Sequence, residues 1–210
     1  MITVVDYGVG NIGALLNMLD YVGIDARASS DEHTIARAEK LILPGVGAFD
    51  KAMSALVDSG LLAPLNRAVL EDRVPVLGVC LGMQLLGRCS EEGSLAGLGW
   101  IDAEVRRIRV PEGSGLKVPH IGWSTVSVRR ETHWLRSGAV VPRFYFVHSF
   151  HMVCDSPDDV IGEVDYGDSL CCAVQRGHIA GVQFHPEKSH RYGMHLLSAW
   201  AQDSNRRRPA

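Results

Sequence analysis

The stretch Val76-Leu77-Gly78-Val79-Cys80-Leu81-Gly82-Met83-Gln84-Leu85-Leu86 decides the reading of this chain. Its first half is a short apolar run that reads as a buried strand, and its second half opens a helix, with Cys80 at the turn between them. Gly78 and Gly82 bracket the cysteine as G-x-C-x-G, the thiol counterpart of the G-x-S-x-G nucleophile elbow. A strained strand-to-helix turn presses its neighbours onto adjacent backbone, where a side chain at either glycine would collide. The helix from Leu81 aims its free amides at the sulfur, which favours thiolate over thiol. Taken alone, the same pattern also fits a buried cysteine at a strand end between two packing glycines.

A second stretch, Gly181-Val182-Gln183-Phe184-His185-Pro186-Glu187-Lys188, is a short apolar strand ending in His-x-Glu. An imidazole can take a thiol proton, and a carboxylate can fix the imidazole's tautomer and stabilise its cation. Residues two apart on an extended or turning backbone project to the same side, and Pro186 stiffens the link between them. Cys80, His185 and Glu187 therefore form a specific candidate triad. Gln84 lies one helical turn past Cys80, on the same face.

Strand-like and helical patterns alternate over the first half: strand 2–5, helix 11–21, strand 41–43, helix 49–57, strand 74–79, then the elbow helix to about Arg88. Such alternation implies a parallel sheet with ligands at the strands' carboxyl ends. After Gly99 the runs become short and β-branched, at 105–110, 125–128, 143–147, 160–164, 171–175 and 179–183, which predicts a mixed or antiparallel extension. A closing helix is expected over 192–200, and 111–115 reads as a hairpin loop. The fold class is thus α/β, a single domain over 1–203, with 204–210 as a frayed, disordered tail that carries Arg206-Arg207-Arg208.

A chain of 210 residues, 46% hydrophobic and 21% charged, is ordinary for one globular enzyme domain. A net charge of −3 gives no general attraction to nucleic acid or to an anionic membrane. The apolar start runs directly into Asp6, too short for a signal peptide, and no stretch is long enough to span a bilayer. Five cysteines lack framework spacing, and adjacent Cys171 and Cys172 on a strand would point to opposite faces, so a cytoplasmic setting is expected. No His or Cys spacing suggests a metal, and no cofactor is expected.

The elbow and the Phe-His-Pro-Glu segment resemble those of class I (triad) glutamine amidotransferases, over nearly the whole chain. Four narrower segments are Asp6-Tyr7-Gly8-Val9-Gly10-Asn11, Leu43-Pro44-Gly45-Val46-Gly47-Ala48-Phe49, Lys117-Val118-Pro119-His120-Ile121-Gly122-Trp123 and Tyr145-Phe146-Val147-His148-Ser149. Together they resemble the glutaminase subunits of imidazole glycerol phosphate synthase, with Ser124 and Phe150 departing from the usual Asn and Tyr. The resemblance implies glutamine hydrolysis through a thioester on Cys80, with His185 and Glu187 completing the triad. It also implies an oxyanion hole at Val46, Gly47 and Leu81, and glutamine contacts at Gly45, Gly82, Gln84, His148 and Ser149. The acceptor of the ammonia is expected on another polypeptide, a (β/α)8-barrel cyclase subunit. The resemblance puts Asn11, His120, Trp123, Tyr145 and Lys188 at or near that docking face. Glutaminase subunits of surface-sugar pathways share much of this pattern, so an acetamidino-sugar acceptor stays open.

Overall fold

The computed structural model describes residues 1–137 and 141–203; the expected tail, 204–210, lies outside them. The first half runs β1 (Ile2–Val5), α1 (Ile12–Tyr21), β2 (Ala26–Ser29), α2 (Glu32–Ala36), β3 (Lys40–Gly45), α3 (Phe49–Asp58), α4 (Leu62–Asn66), β4 (Val76–Cys80) and α5 (Leu81–Leu85). There follow β5 (Cys89–Ser90), β6 (Ala103–Arg107), β7 (His120–Thr125), β8 (Ser127–Val128), β9 (Arg143–His148) and β10 (Phe150–Cys154). The chain closes with β11 (Val160–Tyr166), β12 (Asp168–Arg176), β13 (Ile179–Val182) and α6 (His190–Gln202).

Among the described residues the main sheet has the order β2-β1-β3-β4-β13-β12-β10-β6-β5, with β11 on β12 and β8 on β11. The first five strands pair in parallel, and β13 to β12, β12 to β10 and β10 to β6 are antiparallel. The expected parallel sheet with an antiparallel extension is therefore what forms.

The central strands are apolar at consecutive positions because both faces are covered. On β3, Leu41 and Leu43 enter the core beneath α3 and α4, whereas Ile42 enters the opposite core with α1 and α6. In α3 the buried residues Phe49, Ala52, Met53 and Leu56 recur at helical spacing and face the first of these cores. Leu196, Leu197 and Trp200 of α6 fill the second.

Three local expectations change. The elbow helix closes at Leu85 rather than near Arg88, because loop amides take the carbonyls of its last turn. Leu98 and Ile101 donate to the carbonyls of Leu85 and Leu86 at 2.8 and 3.0 Å, and Arg88 N–H pairs with Ala103 of β6. The expected strand 125–128 divides between two sheets: among the described residues β7 pairs only with β9 in a separate two-stranded sheet, and β8 joins β11, with Val126 buried between them. The stretch 111–115 is no hairpin, since β6 and β7 on either side of it take different partners.

Candidate active site

Cys80 sits at φ +56° at the end of β4, the left-handed backbone that an elbow demands. The glycines permit it by clearance. A Cβ on Gly78 would stand 2.6 Å from the Gly82 carbonyl, and one on Gly82 would run into the carbonyl of Leu43. Parallel register sets Gly45 beside Cys80, so the loop leaving β3 starts next to the sulfur. Tyr7 ties that loop down by donating its hydroxyl to the Pro44 carbonyl at 2.6 Å. Burial raises the Tyr7 phenol far above its ordinary pKa, and the negative charge of a Cys80 thiolate adds to the rise, so Tyr7 stays a donor. Gly47 follows at φ +92°, a conformation glycine adopts without strain.

The carboxyl ends of β3, β4 and β13 converge on one cavity of about 380 Å³. Its wall includes Val46, Gly47, Cys80, Leu81, Gln84, His148, Ser149, His185 and Lys188, all singled out from sequence. Gly45 and Gly82 lie beneath the turn and act through clearance. Pro119, Val147, Phe150 and Glu92 also line the cavity.

His185 and Glu187 form a buried pair, Nδ1 to Oε1 at 2.8 Å, with side chains 5% and 2% exposed. The single 3-10 turn Pro186–Lys188 bends the chain so that the carboxylate returns to the ring. The backbone of His185 is fixed three times: its N–H donates to the Tyr145 carbonyl at 2.9 Å, and its carbonyl accepts from Ser189 Oγ at 2.6 Å and from the Lys188 N–H at 3.1 Å. Burial alone would lower the imidazole, but hydrogen bonds and charge from Cys80 and Glu187 act the other way and raise it to about 9. His185 is therefore an imidazolium at neutral pH, in contact with the sulfur on one side and the carboxylate on the other.

His148 differs. Its Nδ1 donates to the Phe150 carbonyl at 2.9 Å and its Nε2 faces His120 Nδ1 at 3.0 Å. Since a carbonyl only accepts, His148 Nε2 is the acceptor, so His120 donates and its own Nε2 accepts from Ser124 Oγ at 2.9 Å. Burial pushes His148 down to about 3 and His120 to about 4, which keeps the line neutral. His120 thus lies beneath the β7–β9 surface, 2% exposed and stacked between Phe146 and Tyr166. Asn11 and Trp123 are exposed, and Trp123 stacks on His190 and meets the half-buried Tyr145 edge-on.

Three polar residues at the site were not read from sequence as site residues. Glu92 lines the cavity and accepts the Phe49 N–H at 2.9 Å, capping α3. Ser189 fixes the backbone of His185. Gln183, fully buried, points its amide nitrogen at Cys80 Sγ from 3.8 Å. Only Gln183 had a local signal, a polar residue inside an apolar strand.

The family model for class I glutamine amidotransferases matches residues 3–201. The chain belongs to that family. It is 50% identical over 202 residues to the imidazole glycerol phosphate synthase subunit HisH 2 of Pseudomonas aeruginosa, covering 96% of this chain and 99% of that one. To the subunit of the same name in Methanococcus maripaludis it is 42% identical over 197 residues, covering 94% and 96%. Among solved structures, a glutamine amidotransferase aligns with TM-score 0.71 at 19% identity over 95% of this chain and 99% of that chain. PurLQS of Thermotoga maritima aligns with TM-score 0.69 at 18% identity, over 95% and 96%. At that identity the two structures speak for the amidotransferase fold alone. Among the described residues no helix is long and apolar enough to cross a membrane.

Proposed function

We propose that this chain hydrolyses glutamine at Cys80, His185 and Glu187 and passes the ammonia to a partner subunit, a (β/α)8-barrel cyclase of histidine biosynthesis. The observation that carries the chemistry is the buried His185–Glu187 pair opening on one cavity with an elbow cysteine. The acceptor follows from the relatives, which are named as imidazole glycerol phosphate synthase subunits; this favours the histidine pathway over a sugar acceptor. Such a pathway enzyme works in the cytoplasm.

In this reading Cys80 Sγ attacks the side-chain amide carbon of glutamine. Negative charge on the former carbonyl oxygen is met by the Leu81 amide and a peptide N–H of the Val46–Gly47 loop, each worth about 3 kcal/mol. The tetrahedral adduct collapses as the imidazolium of His185 gives its proton to the departing nitrogen, leaving a thioester and ammonia. Water then attacks the thioester with His185 as base, releasing glutamate and returning Cys80 and His185 to their starting states. Glu187 holds Nδ1–H, so that Nε2 faces the sulfur throughout.

The high imidazole pKa sets the pH profile. A folded-state value of about 9, above the ordinary 6.5, means the proton His185 must donate is present through neutral pH and lost as pH rises through about 9. Glutamate release under kcat/KM conditions should therefore show its alkaline limb near pH 9. In Glu187→Gln the limb should move down towards neutrality, because a source of the rise is removed.

Glu92 is the wall carboxylate suited to the substrate's α-ammonium. Glu92→Gln still accepts from Phe49 N–H but loses the charge. It should raise the KM for glutamine ~10- to 100-fold with kcat little changed, the scale of one charge-assisted hydrogen bond.

The partner face is the β7–β9 surface beside the cavity. Ile121 and Trp123 are exposed there at 58% and 38%, and Ile121 pairs with the cavity-wall residue Val147. Together with Asn11, Tyr145 and Lys188, they form the proposed docking region. Docking biases the glycine peptide of the Val46–Gly47 loop towards its donating orientation. Moving such a two-state element from mostly off to mostly on takes about 5 kcal/mol of differential binding. Glutamate release measured with and without the cyclase subunit and its acceptor substrate tests this: the chain alone should be slow and the complex much faster. Full turnover by the chain alone would remove the gating role.

A further inference from the structure

Two buried glutamines stand behind the sulfur, and a backbone carbonyl fixes the orientation of both. Gln84 is 4% exposed and Gln183 fully buried. The Phe150 carbonyl already accepts from His148 Nδ1 at 2.9 Å, and Gln84 Nε2 lies 3.1 Å from the same oxygen. A carbonyl cannot donate, so the end of Gln84 facing it is the NH2. That same nitrogen is 2.9 Å from Gln183 Oε1 and donates its second hydrogen there. Gln183 is left with its own NH2 towards Cys80 Sγ, at 3.8 Å. The opposite orientation would set NH2 against NH2 at Gln84 and a carbonyl oxygen against the sulfur, both in buried positions.

We propose that Gln183 is a catalytic residue that stabilises the Cys80 thiolate by N–H donation, and that Gln84 is the positioning residue that keeps that amide from turning over. A hydrogen bond given to the charged form of a group favours that form, and here it opposes the penalty of burying sulfur charge. Gln183 does not line the cavity, so its role is separate from substrate binding. The proposal deepens the reading of Cys80 as nucleophile and rests on it.

The test follows alkylation of Cys80 by iodoacetamide against pH in the full chain with its partner subunit, reading the Cys80 peptide by mass spectrometry. Gln183→Leu, Gln84→Leu and the double variant are compared with the unchanged chain, with thermal melting to show that each is folded. In Gln183→Leu the alkylation midpoint should rise by about one pH unit, which is ~tenfold slower labelling at any pH below the midpoint. Its kcat for glutamine should fall with KM unchanged. Gln84→Leu should move the midpoint the same way by less, and the double variant should be no worse than Gln183→Leu. A folded Gln183→Leu whose midpoint stays put, even with slower turnover, would overturn the proposal. If that variant does not fold, an unmoved midpoint in Gln84→Leu overturns it. The alkylation readout needs no glutamine, so absent turnover by the unchanged complex would count against the glutaminase reading alone.

Discussion

Replacing Cys80 by alanine should abolish glutamine-dependent amidotransfer while leaving the partner's reaction with added ammonium at its normal rate. Only the sulfur can form the thioester, whereas the acceptor chemistry needs ammonia from any source. Loss of a nucleophile that works as part of a coupled set costs about 10⁶ in kcat, so the residual rate should be at background. Alanine fits the elbow by size, and the contacts that hold the turn belong to Gly78, Gly82 and Gly45, so the fold and the docking face should survive. The measurement pairs two assays on one complex, product formed with glutamine and product formed with ammonium chloride. Loss of both would mean that Cys80 is needed for folding or docking and would remove its catalytic assignment.

Nearly as large is the loss expected for His185→Asn, with Glu187→Gln milder by about two orders of magnitude. The imidazole moves a proton in each half of the reaction, while the carboxylate orients the ring and supports its charge, and such members contribute non-additively. His148 has the same side chain in the same cavity wall, yet it should not take over. Both its ring nitrogens are committed, to the Phe150 carbonyl and to His120, and burial holds its pKa down at about 3. Steady-state glutamate release by the three proteins in complex with the partner distinguishes the cases. Near-normal rates in His185→Asn would make His148 the working base.

The features legible in the chain are those with strictly local causes. The elbow could be read because a left-handed cysteine needs glycine at both flanks, and both requirements fall within five consecutive residues, Gly78 to Gly82. The His185–Glu187 pair could be read because the two residues are separated only by Pro186, and a turn of that length can hardly keep them apart. The parallel half of the sheet was legible as continuous apolar strands alternating with helical periodicity.

Tertiary structure alone decided the rest. Strand His120–Thr125 alternates sheltered and exposed positions, with only His120 fully buried, but includes Gly122 and three polar residues, so local propensity gives it little weight. It exists because β9, from further along the chain, supplies a partner. His120, expected at or near the docking face, is buried beneath it because Phe146 and Tyr166 close over its ring from distant segments. Glu92 reaches the cavity by capping a helix whose first residue lies 43 positions earlier. Gln183 acquires its contact with the sulfur from a strand 103 positions away, in an orientation set by a third segment at Phe150. A hydrogen bond between remote residues leaves no periodicity in sequence, because its partners are neighbours only after the sheet has ordered its strands.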